Sequence, residues 1–511
     1  MPRYKEYSYE QGQFITVDFQ SQIREGTFEY ALNYIIDNEL DFSEFEADFK
    51  NEETGAPAYD PRIMLKIIFY AYSLGIIHSR KIAKECEVNI IFMALSANTK
   101  PHFTTIAEFI SGMGEKATKL FTDVVLLCDK LGLIGKNMFA IDGCKISSNA
   151  AKEWSGKIED YERRKKKMEE EIRKLLKKHK ELDEKKEDLK EQIEREKKAI
   201  ENYKRKIKKF SDFIKENDER ISSSGTKVQS NISDPDSAKL KASTGEIKQG
   251  YNAIATVDDK HQIIVDARAI GTSNERDAVK PMMERVREVF GESNLAKTKL
   301  TADAGFSSEA VLEFLENEGV DAYIPDKNFR ERDSRFEGRD RYKERYKKEQ
   351  EKHRAKYFGI QDFEYDEKNE RLICPAGEWL YKSGKPVKIK NFIGQRYQGR
   401  ESKCPSCALH AQCMRGSNTP IRQIYVNLTK ETETNQQSIL QKMREKVDSA
   451  TGSFIYSQRM GTVEPVFAHL CHVLKLKYFT VKRKLKVNAQ WKLYATVHNL
   501  KKLFRFSSLF A

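Results

Sequence analysis

The chain has 511 residues, 39% hydrophobic and 33% charged, so it can bury a sizeable core and fill roughly three domains of about 150 residues. Its 91 Lys and Arg residues outnumber 78 Asp and Glu residues. The net charge of +13 favours a polyanionic partner, although a merely basic soluble protein remains an alternative. No export segment opens the chain and no apolar run approaches the ~18 residues of a membrane span, so we expect a cytoplasmic protein.

Residues 1–134 have the pattern of short amphipathic helices separated by polar turns. Asp60 and Pro61 form an N-cap and first-turn pair before a dense apolar face, and Ser79 and Thr104 are predicted to begin two more helices. These helices fit either a helix-turn-helix-like DNA-binding domain or an ordinary helical bundle. The pattern alone favours the bundle.

Residues 135–156 begin an α/β region, in which an apolar strand at residues 138–141 ends in Asp142. A carboxylate at the tip of a buried strand costs desolvation free energy unless an arginine, a backbone nest or a metal ion lies there. A second apolar strand ends in the same way at Asp303. If the two strands are neighbours, both carboxylates leave the sheet at one edge, where oxygen ligands suit magnesium or manganese.

Two such ions about 3.5–4 Å apart can activate a water or hydroxyl and stabilise the leaving oxygen of a phosphodiester. Each of these aspartates taken alone is more often a turn or cap residue. Four rival positions share the pattern, namely Asp258, Asp266, Asp321 and Asp326.

Residues 157–224 contain no glycine or proline and carry a heptad seam of apolar residues. Polar residues interrupt the seam at His179, Lys186 and Glu196. The segment is predicted to be a coiled-coil insertion or a helical hairpin, packed on itself or on a second copy. A solvated charged helix without a partner is the alternative.

Residues 225–326 return to the α/β pattern, with a hairpin that turns at Asp258, a crossover helix and further apolar strands. This order predicts a mixed α/β sheet. Residues 327–435 interrupt the sheet with a stretch of mixed charge followed by four clustered cysteines that resemble an irregular zinc knuckle. Free thiols, or a zinc site completed by His410, are the alternatives. The four cysteines are Cys374, Cys404, Cys407 and Cys413.

Residues 436–511 are predicted to form helices, and Glu464 lies in the first turn of an apolar helical face. Ten basic residues and no acidic residue follow Glu464. A basic tract beside a metal site is what a DNA substrate needs, because phosphates supply most of the binding free energy. The alternative is a basic surface helix next to an ordinary core glutamate.

Four blocks in this order resemble bacterial insertion-sequence transposases of the DDE class: FAIDGCKISSNAAKEWSG, SDPDSAKLKASTGEIKQGYNAIATVD, LTADAGFSS and YSQRMGTVEPVF. The N-terminal stretch YDPRIMLKIIFYAYSLGIIHSRKIAKEC is similar to the helical domain common in that group. The resemblance covers most of the chain apart from the heptad segment.

The resemblance implies an RNase H-like catalytic domain, interrupted by the helical and cysteine-rich insertions and preceded by an all-α DNA-binding domain. Its metal-binding acids fall on Asp142, Asp303 and Glu464, which would hold two Mg²⁺ or Mn²⁺ ions. The implied reaction is hydrolysis at transposon ends, followed by attack of the freed 3′-hydroxyl on target DNA in the bacterial nucleoid. Double-stranded DNA and a second copy of the chain are the implied partners. A catalytically degenerate or domesticated DNA-binding protein is the alternative.

The family often has a tyrosine and an arginine before the glutamate and a lysine seven positions after it. Arg459 lies one residue farther from Glu464 than usual, and the seventh position holds Cys471 instead of lysine. Lys475 or Lys477 is the expected substitute. The expected DNA-binding residues are Tyr456, Arg459, Lys475, Lys477, Lys482, Arg483 and Lys484.

Overall fold

The computed structural model divides into two compact units, one formed by Met1–Lys327 with Lys442–Ala511 and the other by Asn328–Gln441. Within the described part of the chain, no helix is long and apolar enough to cross a membrane. The structure describes residues 16–47, 57–185, 190–222, 225–241, 245–291, 295, 297–333, 358–366, 369–389, 392–414, 419–427 and 438–510.

Short helices make up the described N-terminal region of the first unit. The Asp60 side chain accepts a hydrogen bond from the Arg62 backbone N–H at 2.7 Å, so the predicted cap is present. α4 begins at Ser79 as predicted, with His78 at its N-cap, and α6 begins at Phe103, one residue before the predicted Thr104. The helices are α1 (Phe28–Asn38), α2 (Ser43–Glu46), α3 (Pro61–Ser73), α4 (Ser79–Val88), α5 (Ile90–Leu95), α6 (Phe103–Gly112) and α7 (Lys116–Lys130).

A six-stranded sheet forms the centre of the first unit, in the order β4-β5-β1-β7-β8, with β6 also paired to β5. β1, β7 and β8 are parallel and the remaining pairs are antiparallel, so the predicted mixed α/β class is confirmed. β2 (Ser155–Gly156) and β3 (Ser230–Asn231) form a separate small pair. The six strands are β1 (Met138–Ser147), β4 (Ala238–Lys241), β5 (Ile247–Asp258), β6 (Ile264–Ile270), β7 (Lys299–Ala302) and β8 (Asp321–Tyr323).

The C-terminal helix, Lys484–Phe506, joins this sheet to the N-terminal helices. Its Trp491 donates an indole hydrogen bond to the Ile254 carbonyl at 3.0 Å. Its Tyr494 stacks on Tyr72 with ring centroids 4.5 Å apart. The buried Trp491 N–H is hydrogen-bonded, so it fixes the helix against the sheet without a desolvation penalty, whereas Tyr494 contributes through ring stacking. The next four helices after α7 in chain order are α8 (Ile158–Lys185), α9 (Lys190–Glu216), α10 (Val279–Phe290) and α11 (Glu309–Asn317).

The heptad segment folds as two helices, α8 and α9, that pack against each other in antiparallel directions. At the base of this hairpin, Tyr161 packs on Phe210 and Phe213 in a buried cluster. Farther out, His179 Nε2 and a Glu196 carboxylate oxygen lie 2.8 Å apart. Two of the polar interruptions therefore contact each other, which explains how the seam tolerates them. The third interruption, Lys186, lies outside the described residues.

The second unit contains a six-stranded antiparallel sheet around a small core of Phe363, Leu372, Leu380, Tyr397 and Ile424. Its elements are α12 (Phe329–Arg332), β9 (Glu364–Asp366), β10 (Arg371–Ile373), β11 (Trp379–Lys382), β12 (Val387–Ile389), β13 (Phe392–Gln398), α13 (His410–Cys413) and β14 (Gln423–Asn427). The last helices of the chain are α14 (Ile439–Asp448), α15 (Ala450–Ala468) and α16 (Lys484–Phe506), and a π-helical turn at His469–Val473 follows α15.

Candidate active site

Asp142 and Asp303 lie side by side at one edge of the central sheet. β1 and β7 are parallel, and Ile141 is paired with Ala302, so the next residue of each strand is an aspartate. Asp142 is nevertheless not the last residue of its strand. β1 continues to Ser147 because the longer β5 remains paired with it after β7 has ended.

The Asp142 carboxylate lies in a mostly buried, mixed-charge environment. One oxygen is 3.0 Å from Arg459 Nη1, and the other accepts a hydrogen bond from the Gly143 backbone N–H at 2.8 Å. Burial raises the pKa of Asp142, Arg459 and the Gly143 N–H oppose that rise, and Asp303 adds to it. The carboxylate is therefore held beside a second negative group at a free-energy cost that a cation would relieve.

Arg459 reaches this edge from α15, which packs against β1 and β7. The residue is only 8% exposed, yet its Nε and Nη1 atoms have no hydrogen-bond partner. The 3.0 Å approach to Asp142 is thus an ion pair without hydrogen-bond alignment. The Arg459 guanidinium carbon lies 5.9 Å from the centre of the half-buried Tyr456 ring. The two predicted DNA-binding residues of α15 are therefore neighbours at the site.

Asp303 caps the short turn after β7 and contacts a residue that the sequence did not single out. Its Oδ1 accepts a hydrogen bond from the Gly305 backbone N–H at 2.8 Å. A Cβ at Gly305 would lie 2.9 Å from that oxygen and 2.5 Å from Glu275 Oε2, so the two carboxylates are near neighbours. Glu275 also accepts a hydrogen bond from Asn252 at 2.8 Å. The sequence offers a signal for Asn252, because a polar residue inside an apolar strand is unusual. It offers none for Glu275, which lies in a polar loop without a recognisable sequence pattern.

Glu464 is not brought together with the two aspartates. It is exposed on α15, and its carboxylate has no hydrogen bond or ion pair within the described residues. Glu464 follows Arg459 by five residues, which at about 100° per residue separates the two side chains by about 140° around the helix. Pro465 lies inside the same helix, and the π-helical turn begins at His469.

The residues after α15 also depart from the expected arrangement. Cys471 lies with its Sγ 3.8 Å from that of Cys144, two positions after Asp142 on β1. The stem of Lys475 lies over Gly75, where a Cβ would be 2.8 Å from Lys475 Cδ. Lys477 is exposed.

The remaining predicted DNA-binding residues lie at the start of α16. Lys482 is half-buried, and the Arg483 and Lys484 side chains are exposed. The backbone N–H groups of Arg483 and Lys484 donate hydrogen bonds to Asp234 and Asp236, both at 2.8 Å. These hydrogen bonds fix the backbone of the basic segment against the loop that contains Asp234 and Asp236, while the Arg483 and Lys484 side chains face solvent.

The four rival aspartates have structural roles. Asp258 accepts hydrogen bonds from three backbone N–H groups around the β5–β6 turn and the segment before β1. Asp266 pairs with Arg268, Asp321 with Lys446 and Asp326 with Arg444. Each carboxylate is therefore already satisfied by the fold.

The predicted zinc site is not supported by the described residues. The four cysteines are half-buried free thiols that line one cavity of the second unit together with His410. Burial raises the pKa of Cys413 and the other three thiols add to the rise, so the sulfurs are close enough to interact. However, no group of three or more His, Cys, Asp or Glu side chains in the described chain could hold a metal ion as placed.

The same finding applies to the carboxylate edge, where no complete ligand set is assembled among the described residues. The donor chemistry nevertheless fits a hard divalent cation, because the groups are carboxylate and amide oxygens. Asn252 Oδ1 is buried without a hydrogen-bond partner, 2.9 Å from where a Cβ at Gly143 would lie. An unsatisfied acceptor next to two crowded carboxylates is the arrangement that a hydrated cation would complete.

Two family models match separate parts of the chain. Residues 17–112 match a transposase domain, DUF772, and residues 373–504 match a transposase DDE domain. The second match includes Glu464, Arg459 and the basic segment, whereas Asp142 and Asp303 precede it. No curated protein matches the chain. The two matches confirm the resemblance that the sequence blocks indicated.

Proposed function

Since two parts of the chain match transposase domain families, we propose that it is an insertion-sequence transposase of the DDE class, which cleaves DNA at the ends of its element and transfers the freed 3′-hydroxyl into target DNA. The observation that carries the proposal is the pairing of Asp142 with Asp303 at one sheet edge, with Arg459 beside them. The carboxylates suit metal ions and the arginine suits a phosphate, so the edge fits a phosphodiester.

In this proposal Asp142 and Asp303 hold two divalent ions, Mg²⁺ or Mn²⁺, and Glu464 is the third acid. Bound ions would supply Lewis-acid activation of the attacking oxygen and stabilise the leaving oxygen. The protein groups fix the reacting phosphate in line with its nucleophile. Glu464 must turn toward the aspartates before it can take part, and the proline and the π-helical turn make the end of α15 the place where that turn is expected.

Arg459 is proposed to bind the reacting phosphate once a cation takes its place beside Asp142. Its Nε, which has no hydrogen-bond partner, and its Nη1, which is ion-paired with Asp142 in the free protein, are the donors that a phosphate would use. Tyr456 positions the guanidinium, and Lys477, Lys482, Arg483 and Lys484 bind flanking phosphates. Lys475 is a weaker candidate for phosphate binding, because the aliphatic part of its side chain packs against Gly75.

The remaining parts of the chain are proposed to organise the DNA. The N-terminal helices recognise the ends of the element, and the α8–α9 hairpin pairs two subunits so that both ends are held together. The central sheet is proposed to be an RNase H-like domain, since its antiparallel β6, β5 and β1 are followed by parallel β7 and β8. The substrate is double-stranded DNA in the bacterial nucleoid.

A catalytically degenerate DNA-binding protein is the second candidate. Two observations favour it: Glu464 is exposed on α15, about 140° around the helix from Arg459, and Cys471 replaces the lysine of the family pattern. A protein of this kind would bind the element ends and leave them uncut.

The test is cleavage of DNA that carries the flanking ends of the element, in Mg²⁺, by the intact chain and by Asp142→Asn. We expect nicking by the intact chain only, and binding of the ends by both. Binding without cleavage by either protein would support the degenerate candidate and overturn the proposed activity.

A further inference from the structure

We propose that Glu275 is an additional carboxylate of the cation site at Asp142 and Asp303, and that it takes part in holding the divalent ion before DNA binds. This inference rests on the proposed function. It adds a residue from the short turn between β6 and α10, which none of the sequence blocks includes.

The position of Glu275 is fixed by two contacts. Its Oε1 accepts a hydrogen bond from Asn252 Nδ2 at 2.8 Å, and its Oε2 lies 2.5 Å from where a Cβ at Gly305 would be. The same Cβ position is 2.9 Å from Asp303 Oδ1. A Cβ at position 305 would therefore displace the Glu275 and Asp303 carboxylates from the positions they have beside glycine.

Two unsatisfied buried groups indicate that a ligand belongs at this edge. Asn252 is fully buried and its Oδ1 has no hydrogen-bond partner, although its amide nitrogen orients Glu275. Arg459 is more than nine-tenths buried, and its Nε has no hydrogen-bond partner, while its Nη1 is ion-paired with Asp142. The unsatisfied Asn252 oxygen is an acceptor that fits a hydrated cation beside the carboxylates. The unsatisfied Arg459 nitrogen is a donor that fits an anionic phosphate.

The local charge also favours a cation. Asp142, Asp303 and Glu275 contribute three negative charges, and Arg459 and Lys145 contribute two positive ones, so one negative charge is uncompensated. Lys145 is the weaker counter-charge, because its Nζ donates a hydrogen bond to the Lys241 carbonyl. The Coulombic attraction between a divalent ion and these three carboxylates would be stronger than in water, because the site is partly buried.

Glu275 and Glu464 would act at different stages. Glu464 is exposed on α15 in the free protein, whereas Glu275 lies beside Asp303 and close enough to Asp142 to feel its charge. The DNA-free chain should therefore bind Mn²⁺ through a site that depends on Glu275 and not on Glu464.

The experiment is a titration of the full-length, DNA-free protein with Mn²⁺, in which electron paramagnetic resonance measures the free ion. The variants are Glu275→Gln, Asp142→Asn and Glu464→Gln, and Glu284→Gln is the matched control on the exposed face of α10. Glutamine can still accept the Asn252 hydrogen bond, so the thermal unfolding midpoint of the ion-free Glu275→Gln protein should equal that of the intact chain.

We expect the Mn²⁺ dissociation constant to rise about tenfold in Glu275→Gln, to rise in Asp142→Asn, and to stay unchanged in Glu284→Gln and Glu464→Gln. A dissociation constant unchanged in Glu275→Gln but raised in Asp142→Asn would overturn this inference and leave the proposed function intact. No effect of either substitution, or no Mn²⁺ binding by the intact chain, would overturn the inference and count against the proposed metal site as well.

Discussion

Arg459 controls the charge of Asp142 in the free protein. The two groups form a largely buried ion pair, and removing one member of such a pair leaves the other charge uncompensated. In the proposed site Asp142 would hold a cation that supplies this replacement charge, and the Arg459 guanidinium would then bind a phosphate. The same residue thus has a structural role without DNA and is proposed to have a binding role with it.

Arg459→Gln should lower the rate of end cleavage about a hundredfold, since a donor aimed at the reacting group is lost. Binding of the element ends should change little, because many exposed basic residues contribute to it. Rates and affinities for Arg459→Gln are compared with those for Arg444→Gln, a control on α14 that pairs with Asp326 and Asp448. Cleavage by Arg459→Gln at the intact rate would exclude its phosphate role.

Gly305→Ala should abolish cleavage while the chain stays folded. The new Cβ would press on Glu275 Oε2 and Asp303 Oδ1, and moving either carboxylate disturbs the cation site. The matched control is Gly461→Ala on α15, where a Cβ meets no atom within 4 Å. Far-ultraviolet circular dichroism checks folding and a cleavage assay checks function. Full activity in Gly305→Ala would show that the spacing of these carboxylates is unimportant.

At the scale of elements, the end of α15 is tied to α16 through two histidines. His469 Nδ1 and His498 Nδ1 lie 2.9 Å apart, so one ring must donate and the other accept, which requires at least one neutral ring. Burial, reinforced by nearby positive charge, lowers the pKa of His469 to about 4 and that of His498 to about 3. The contact holds the π-helical turn against the core.

Stability should therefore fall as the pH drops from about 6.5 to about 4. In that range the unfolded chain binds protons at these histidines and the folded chain does not, so protonation favours unfolding. Thermal unfolding midpoints across this range should fall less steeply for His469→Gln than for the intact chain. Equal slopes would show that other groups cause the pH dependence.

The sequence predicted those parts of the site that depend on local pattern. The apolar runs before Asp142 and Asp303 located both strands, and the aspartates are adjacent because those strands are parallel neighbours. Glu275 could not be found, since a long-range fold brings a polar loop to the sheet edge. The sequence blocks predicted Glu464 as the third acid but do not determine its direction on α15, where Val463 and Val466 are buried and Glu464 is exposed.

At the scale of the whole molecule, the net charge of +13 and the exposed basic segment before and within α16 favour binding to DNA phosphates. The cysteine-rich unit was harder to interpret. A C-x2-C turn predicted a zinc ligand set, but spacing does not determine whether four sulfurs converge on one point. The heptad segment forms two helices in which two polar interruptions, His179 and Glu196, contact each other, and its role as a coiled-coil insertion stays a prediction.

Lys477→Gln and Lys484→Gln together should weaken DNA binding and reduce the salt dependence of that binding. Each lost phosphate contact lowers the slope of log affinity against log salt by about 1, so the double variant should lose about 2. Lys174→Gln, on the exposed face of α8, is the control with an unchanged slope. An unchanged slope in the double variant would remove both lysines from the DNA surface.

The most direct test of the central claim, that Asp142 and Asp303 hold the catalytic metal, is cleavage by Asp303→Cys in Mg²⁺ and in Mn²⁺. A thiolate ligand binds Mg²⁺ poorly and accepts a softer ion more readily. We predict that this variant is inactive in Mg²⁺ and regains cleavage in Mn²⁺. Cleavage by Asp303→Cys in Mg²⁺ at the rate of the intact chain would contradict the assignment.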